Sequence, residues 1–259
     1  MIVERSELNK LYWVDNKTLK QIAKLYGVSD VTVMRWMNRH GVARRDGSAA
    51  ARLRMSSPEV RRQLSMKLRK KFIPRPGPIL SYVLGVLLGD GSVYKSRSAR
   101  GSYSYHVSLY VKDRLFAEKF ADALTKIGLN PRIYVYKNGY HRVQAINGGF
   151  YEWYKSLGLE QIGSLARGFE DRLVCGFYES EGSIGVNESR LRIQIGNKHK
   201  ELLFMIQNIL HNWNIKSWVC GPYQNYFKLH IAGNDRVKRF LQIIGPCIRI
   251  EPKNAHVNT

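Results

Sequence analysis

Two stretches of the chain are apolar on nearly every side and end in the same way. The first reads Val83-Leu84-Gly85-Val86-Leu87-Leu88-Gly89-Asp90-Gly91, and the second, beginning 91 residues later, reads Val174-Cys175-Gly176-Phe177-Tyr178-Glu179-Ser180-Glu181-Gly182. Each predicts a buried helix that stops at a lone acid followed by a left-handed glycine cap. After each, the pattern changes to period two. Tyr103, Tyr105, Val107, Leu109 and Val111 alternate with Ser104, His106, Ser108, Tyr110 and Lys112, which predicts a strand with one buried face and one polar face. A helix over Asp113 to Ile127, strands near Arg132 to Lys137 and Tyr140 to Ile146, and a short helix near Phe150 to Leu157 complete the first half. The second half retraces that order. Its strands fall near Ser183 to Val186 and Arg190 to Gly196, followed by a helix from Lys198 to Trp213. Strands over Ile215 to Cys220 and Tyr223 to Ile231 and a helix from Asp235 to Ile244 follow. Arg190, Arg192 and Gln194 here oppose Leu191, Ile193 and Ile195. The expected class is α+β, with two pseudo-symmetric αββαββα repeats over residues 78–166 and 167–259.

The front of the chain is patterned differently. Leu19, Ile22, Ala23 and Tyr26 share one helix face, Gly27 interrupts it, and Ser29 can cap a second helix burying Val33, Trp36 and Met37. Residues 1–43 therefore predict a small all-α helix-turn-helix domain. Its second helix offers Arg35 for a base contact, with Val31, Thr32, Asn38 and Arg39 nearby. A helical hairpin used only for packing is the plainer alternative. Residues 44–77 carry eleven basic residues against Asp46 and Glu59. With little apolar periodicity they predict an extended or partly helical arm that follows DNA. A helix start at Ser57-Pro58-Glu59 leads into Val60 to Lys71, and Pro74-Arg75-Pro76-Gly77-Pro78 ends this region.

Charge narrows the partner. The 259 residues hold 42 basic and 20 acidic side chains, a net +22, which points to a polyanion: nucleic acid first, a membrane surface second. No apolar run approaches a membrane span, and Met1 to Lys10 is too charged for a signal peptide, so the expected protein is intracellular and not secreted. Cys175, Cys220 and Cys247 form no CxxC pair and read as packing residues rather than a disulfide framework or zinc site.

The terminal acids supply the candidate chemistry. A carboxylate at a helix C-terminus meets the negative end of the helix dipole, so Asp90 and Glu181 sit where stability alone would not put them. Asp-Gly and Glu-Gly are also ordinary turn signals, but here the pair recurs with its flanking elements. Gly85 and Gly89, and likewise Gly176 and Ser180, are spaced four apart, giving each helix a strip of small residues on which the other could pack. That packing would bring both acids to one end, where a shared divalent cation removes their repulsion. Such ions, held by carboxylates, can promote phosphodiester hydrolysis without a nucleophilic side chain. Magnesium suits two carboxylates supplemented by backbone and phosphate oxygens, and manganese is the substitute. His106, His141, His199 and His230 lack metal-ligand spacing.

These residues resemble the paired motifs of single-chain LAGLIDADG homing endonucleases, at the packing glycine, the small residue before the acid, the acid and the final glycine. Leu88 replaces the family's first aspartate, and Glu181 stands where the name has aspartate. The resemblance spans roughly residues 78–250. It implies a saddle of two antiparallel sheets with strands in the major groove and the acids facing the minor groove. It further implies site-specific, metal-dependent double-strand breaks with short 3′ overhangs, intron homing, and a monomer acting on double-stranded DNA with no membrane role. Metal would be held by Asp90 and Glu181 beside Gly89 and Ser180, and Lys112 and Lys198 would serve either catalysis or simple phosphate contact. DNA contacts would come from Tyr110, Arg132, Tyr134, Tyr136, Arg142 and Gln144 in the first half. In the second half they would come from Arg190, Arg192, Gln194, Lys228 and His230. The alternatives on this scaffold are a non-cleaving transcription regulator and an intron RNA maturase.

Overall fold

The computed structural model describes residues 3–60, 72, 74–99, 101–187 and 189–252, and the chain divides into two compact units, Met1–Lys70 and Lys71–Thr259. The first unit begins with α1 (Arg5–Asn9), which runs into a π-helical turn over Lys10–Val14, where the sequence pattern had given no element. α2 (Leu19–Tyr26) is capped by Thr18 and Gln21, which exchange side-chain and backbone bonds in a capping box. Gly27 ends it at φ 64°, and the Ser29 hydroxyl accepts the Thr32 amide at 3.1 Å to start α3 (Asp30–Arg39). Ile22, Ala23, Val33 and Met37 join Leu8, Trp36 and Val42 in a core private to this unit. The basic stretch that follows contains α4 (Gly47–Ser56), whose Asp46 cap accepts the Ala49 amide. Pro58 to Val60 are helical with the Ser57 hydroxyl at the Val60 amide. The rest of the helix expected up to Lys71 lies outside the described residues.

The second unit is built twice over. α5 (Pro78–Leu88), β1 (Ser92–Arg97), β2 (Tyr103–Val111), α6 (Arg114–Lys126), β3 (Arg132–Val135), β4 (His141–Ile146) and α7 (Gly148–Lys155) form the first repeat. A further helix, α8 (Leu159–Leu165), leads to the second repeat: α9 (Glu170–Glu181), β5 (Gly182–Asn187), β6 (Arg190–Asn197), α10 (Lys200–Asn212), β7 (Trp218–Tyr223), β8 (Tyr226–Ala232) and α11 (Asn234–Ile244). The antiparallel sheets have matching orders, β1-β2-β4-β3 and β5-β6-β8-β7. One core joins Val107, Leu109 and Val143 of the first sheet to Ile193, Ile195 and Leu229 of the second through α5 and α9. Alternation predicted the buried side of β2, although Tyr103 at its open end is 51% exposed.

α5 and α9 cross at the small-residue strips. A Cβ on Gly85 would lie 2.1 Å from the Leu173 carbonyl oxygen and 2.9 Å from the Phe177 amide. One on Gly176 would lie 2.3 Å from the Tyr82 oxygen and 2.9 Å from the Val86 amide, the same contacts carried across the pseudo-two-fold relation. The expected left-handed caps are absent. Neither Gly91 nor Gly182 has a positive φ: Gly182, at φ −79°, opens β5 directly, and the first helix reaches β1 through the short turn Gly89-Asp90-Gly91. Close approach explains the final glycines instead: a Cβ would meet Leu87 Cα at 2.8 Å from Gly91 and the Tyr178 ring at 2.1 Å from Gly182.

Candidate active site

The crossing delivers both acids to one end of the helix pair. A Cβ on Gly89 would lie 2.4 Å from Ser180 Cβ and 3.0 Å from Glu181 Cγ, so only glycine lets the Asp90 segment reach Glu181 this closely. Glu181 is half-buried and held on both oxygens, by Asn197 Nδ2 at 3.3 Å and the Tyr226 hydroxyl at 3.3 Å. Burial pushes its carboxyl pKa up and the Asp90 charge adds to this, while Tyr226, Arg249 and Asn197 oppose it. Asp90 keeps contact with solvent, yet the protein packed on its inner side raises its pKa, and Arg249 partly offsets that rise.

Arg249 has no sequence signal, being a lone arginine beyond the last regular element. Tertiary contacts bring it to the site. Its guanidinium donates to the Tyr178 carbonyl at 3.2 Å and to that of Gly182, and its own carbonyl accepts the Tyr178 hydroxyl at 2.8 Å. A cation is thereby fixed at the carbonyl-rich end of α9, beside both acids. The segment carrying it is tied down by Glu179, which is fully buried and takes the Cys247 amide at 2.6 Å, the Tyr82 hydroxyl at 2.7 Å and Lys119 Nζ at 2.7 Å. Burial works against the Lys119 charge, but Cys175 and Glu179 outweigh it and its pKa rises. Burial pushes the Cys175 thiol up to about 12 and Cys247 to about 11, so neither is an activated nucleophile.

At Asp90 opens a cleft of about 700 Å³ lined by Asp90, Lys112, Asp113 and Tyr140 and by the Ile248–Glu251 segment. Lys112 thus shares a cavity with Asp90, its ammonium 5.3 Å from the Tyr140 ring. Lys198 is exposed just ahead of α10, and among the described residues no hydrogen bond or ion pair joins it to the acids. Among the described residues no group of three or more His, Cys, Asp or Glu is arranged to hold a metal ion. The Ser180 hydroxyl is used in helix packing, donating to Gly176 O at 3.0 Å.

Strand register gathers the polar candidates onto one open face of each sheet. Ser108, Gln144 and Arg132 form one cross-strand row, and Tyr110, Arg142 and Tyr134 the next, with the Tyr136 ring 5.6 Å from that of Tyr110. Arg142 and Gln144 are not free side chains. Arg142 donates to Tyr94, and Gln144 bonds both Tyr94 and His106, whose rings stack at 4.8 Å. In the second sheet Gln194 lies opposite His230, Gly196 opposite Lys228, and Arg190 and Arg192 share that face. His230 departs from expectation. It is 4% exposed, lies under the Trp218 ring, and bonds Arg192 Nε at 3.2 Å and Cys220 Sγ at 3.0 Å, so it supports the surface rather than presenting itself. In the first unit Arg35, Asn38 and Arg39 are exposed on α3, whereas Thr32 is half-buried with its hydroxyl 2.9 Å from Ser29 in the cap.

Residues 77–157 and 169–245 match the model of the LAGLIDADG-like domain, one copy on each repeat. The chain belongs to the LAGLIDADG family. An uncharacterised protein of Methanocaldococcus jannaschii, MJ0314, is 31% identical over 191 residues, covering 68% of this chain and 71% of its own length. The homing endonuclease I-DmoI of Desulfurococcus mucosus is 23% identical over 167 residues, 62% of this chain and 84% of that protein. Its crystal structure in complex with DNA and Mn superposes with a TM-score of 0.51 at 23% identity, over 64% of this chain and 96% of that one, which shows a shared fold. Within the family motif, Leu88 and Glu179 occupy matching positions, one apolar and one the buried anchor of the Arg249 segment.

Proposed function

We propose that the protein is a divalent-metal-dependent DNA endonuclease that cuts both strands at a specific site. The observation that carries this reading is the joint delivery of Asp90 and Glu181 to one solvent-accessible point by two glycine-packed helices. Glu181, half-buried and with its pKa raised by burial and by the Asp90 charge, together with the solvent-facing Asp90, fits a magnesium or manganese ion that would complete its shell with water and phosphate. Bound there, such an ion supplies charge stabilisation for the attacked phosphate and lowers the pKa of a water. Asp90 and Glu181 would hold it, with backbone oxygens of Gly89 and Ser180 beside them. Lys112 and Arg249 border the same cleft and offer positive charge to a phosphate lodged in it. Because both motifs lie in one chain, a monomer presents the complete site.

The exposed rows Arg132, Tyr134, Tyr136 and Tyr110, with Arg190, Arg192, Gln194 and Lys228, would follow the duplex on either side of the acids. The internally bonded Arg142 and Gln144 would be preset for base edges. The N-terminal unit, with Arg35, Asn38 and Arg39 on α3, would add a contact on flanking DNA. The test is to select cleaved sequences from a randomised duplex library with Mg²⁺, then to compare Asp90→Asn and Glu181→Gln on the recovered target. Both variants should bind it within a few fold of the parent and cut neither strand. Normal double-strand cleavage by either would place the active site elsewhere, and specific binding without cleavage by the parent would make the protein a regulator.

A further inference from the structure

The two halves of the site are unequal, and two neighbouring strand positions account for it. Register equates Ser108 with Gln194, since these pair with Ser92 and Ser183 just after the matched acids. It therefore equates Tyr110 with Gly196, Val111 with Asn197 and, through β4 and β8, Tyr140 with Tyr226. Both halves thus carry a tyrosine able to lean toward the acids. In the second half a Cβ on Gly196 would lie 2.3 Å from Cε1 of the Tyr226 ring and 3.0 Å from its hydroxyl oxygen. The ring occupies the space that any other residue at 196 would fill, and from there its hydroxyl reaches Glu181 Oε2 at 3.3 Å. In the first half Tyr110 fills that space, and Tyr140 is stacked against it at 4.7 Å and 9°. Among the described residues no hydrogen bond joins Tyr140 to Asp90, and Val111 cannot supply the bond that Asn197 gives Glu181.

Building on the nuclease reading, we infer that Tyr226 is a positioning residue that clamps the Glu181 carboxylate together with Asn197. Gly196 gives the Tyr226 ring its room, and Asn197, where the first half has Val111, supplies the other bond. A carboxylate bonded on both oxygens has lost its rotamer freedom before any ligand arrives, so it meets a cation preorganised. Asp90, unclamped in the open cleft, takes its orientation only when the ligand is bound. The site is then built from one fixed acid and one adjustable acid rather than two equivalent ones.

The experiment uses the full chain and the duplex it cleaves. Affinity is measured in EDTA and again with Ca²⁺, so that the ratio reports the metal's contribution without turnover. Single-turnover nicking of each strand is then followed on a supercoiled plasmid with Mg²⁺. Tyr226→Phe keeps the ring and removes the hydroxyl, and Gly196→Ala displaces the ring. Each should leave EDTA affinity unchanged and reduce the Ca²⁺-dependent gain roughly tenfold, as loss of a partner of a metal ligand does. Each should also slow one nick more than the other, so that open circles accumulate. Because both substitutions remove one contact, the double variant should be no worse than either single. Wild-type Ca²⁺ response and nick rates in Tyr226→Phe, or additive losses in the double variant, would overturn the clamp. A parent protein with neither Ca²⁺ response nor cleavage would overturn the nuclease reading, and the clamp with it.

Discussion

His230 illustrates how a side chain's surroundings, rather than its place in a pattern, set its role. It alternates with apolar residues as a surface histidine should, but Trp218 covers it, and Arg192 and Lys228 crowd it with positive charge. Burial first, and those two cations next, lower its pKa from 6.5 to about 4. The fold therefore favours neutral imidazole. The associated stability is fully present above pH 6.5 and is lost as pH falls toward 4, because the unfolded chain takes up the proton first. Between about pH 6.5 and about pH 5, before most carboxylates titrate, the expected loss from this residue is roughly 1 to 2 kcal/mol. Urea midpoints across that interval should flatten in His230→Gln, and an unchanged slope would mean that His230 is solvated in solution.

At the scale of elements, the decisive contact is that between α5 and α9. The atoms opposing Gly85 and Gly176 are backbone atoms of the partner helix, which cannot rotate out of the way. Gly176→Ala must therefore push the helices apart, at a cost of about 3 kcal/mol, the upper end for overpacking. Because the acids sit at the end of the same pair, cleavage should fall with stability. Gly185→Ala is the control: nothing lies within 4 Å of its added Cβ, and thermal melts should place it within about 0.5 kcal/mol of the parent. Equal melting of both variants would show that the helices do not pack through these strips.

At the scale of the whole molecule, the two units have cores with no residue in common, so each is expected to fold alone. The proline-rich joint suggested a division at Pro78, but the Phe72 ring packs on Phe150 at 5.0 Å and Trp153 at 5.2 Å, inside the second unit. A chain starting at Lys71 should melt in one transition and keep metal-dependent cleavage. One starting at Pro78 should be weaker by on the order of 1 kcal/mol through loss of those ring contacts. Residues 1–77 hold 18 basic and six acidic side chains, so either truncation should bind DNA less tightly. Its salt dependence should also be shallower, by about 0.9 in slope for each lost phosphate contact. An unchanged slope and footprint would assign the N-terminal unit a role other than DNA binding.

What the sequence determined by itself was whatever depends on neighbours along the chain. Period-two alternation, helical faces and the repeated glycine-acid motif gave both αββαββα repeats, the capped α2–α3 pair and the proposed acids. The small-residue strips even implied which helix faces would meet. Tertiary structure alone decided matters that join residues distant along the chain. It brought Arg249 to the acids through Glu179, a residue 68 positions away from the Cys247 amide it binds. It gave Gly196 its meaning through a ring 30 positions later in the chain, buried His230, and drew Phe72 across the apparent boundary. It also replaced the expected left-handed caps with a short turn after α5 and a direct entry into β5 after α9. Local periodicity records which face of an element is apolar, because burial repeats with the backbone's own geometry. A single polar bond or a single displaced ring has no period, so it leaves no trace in the sequence until the chain has folded.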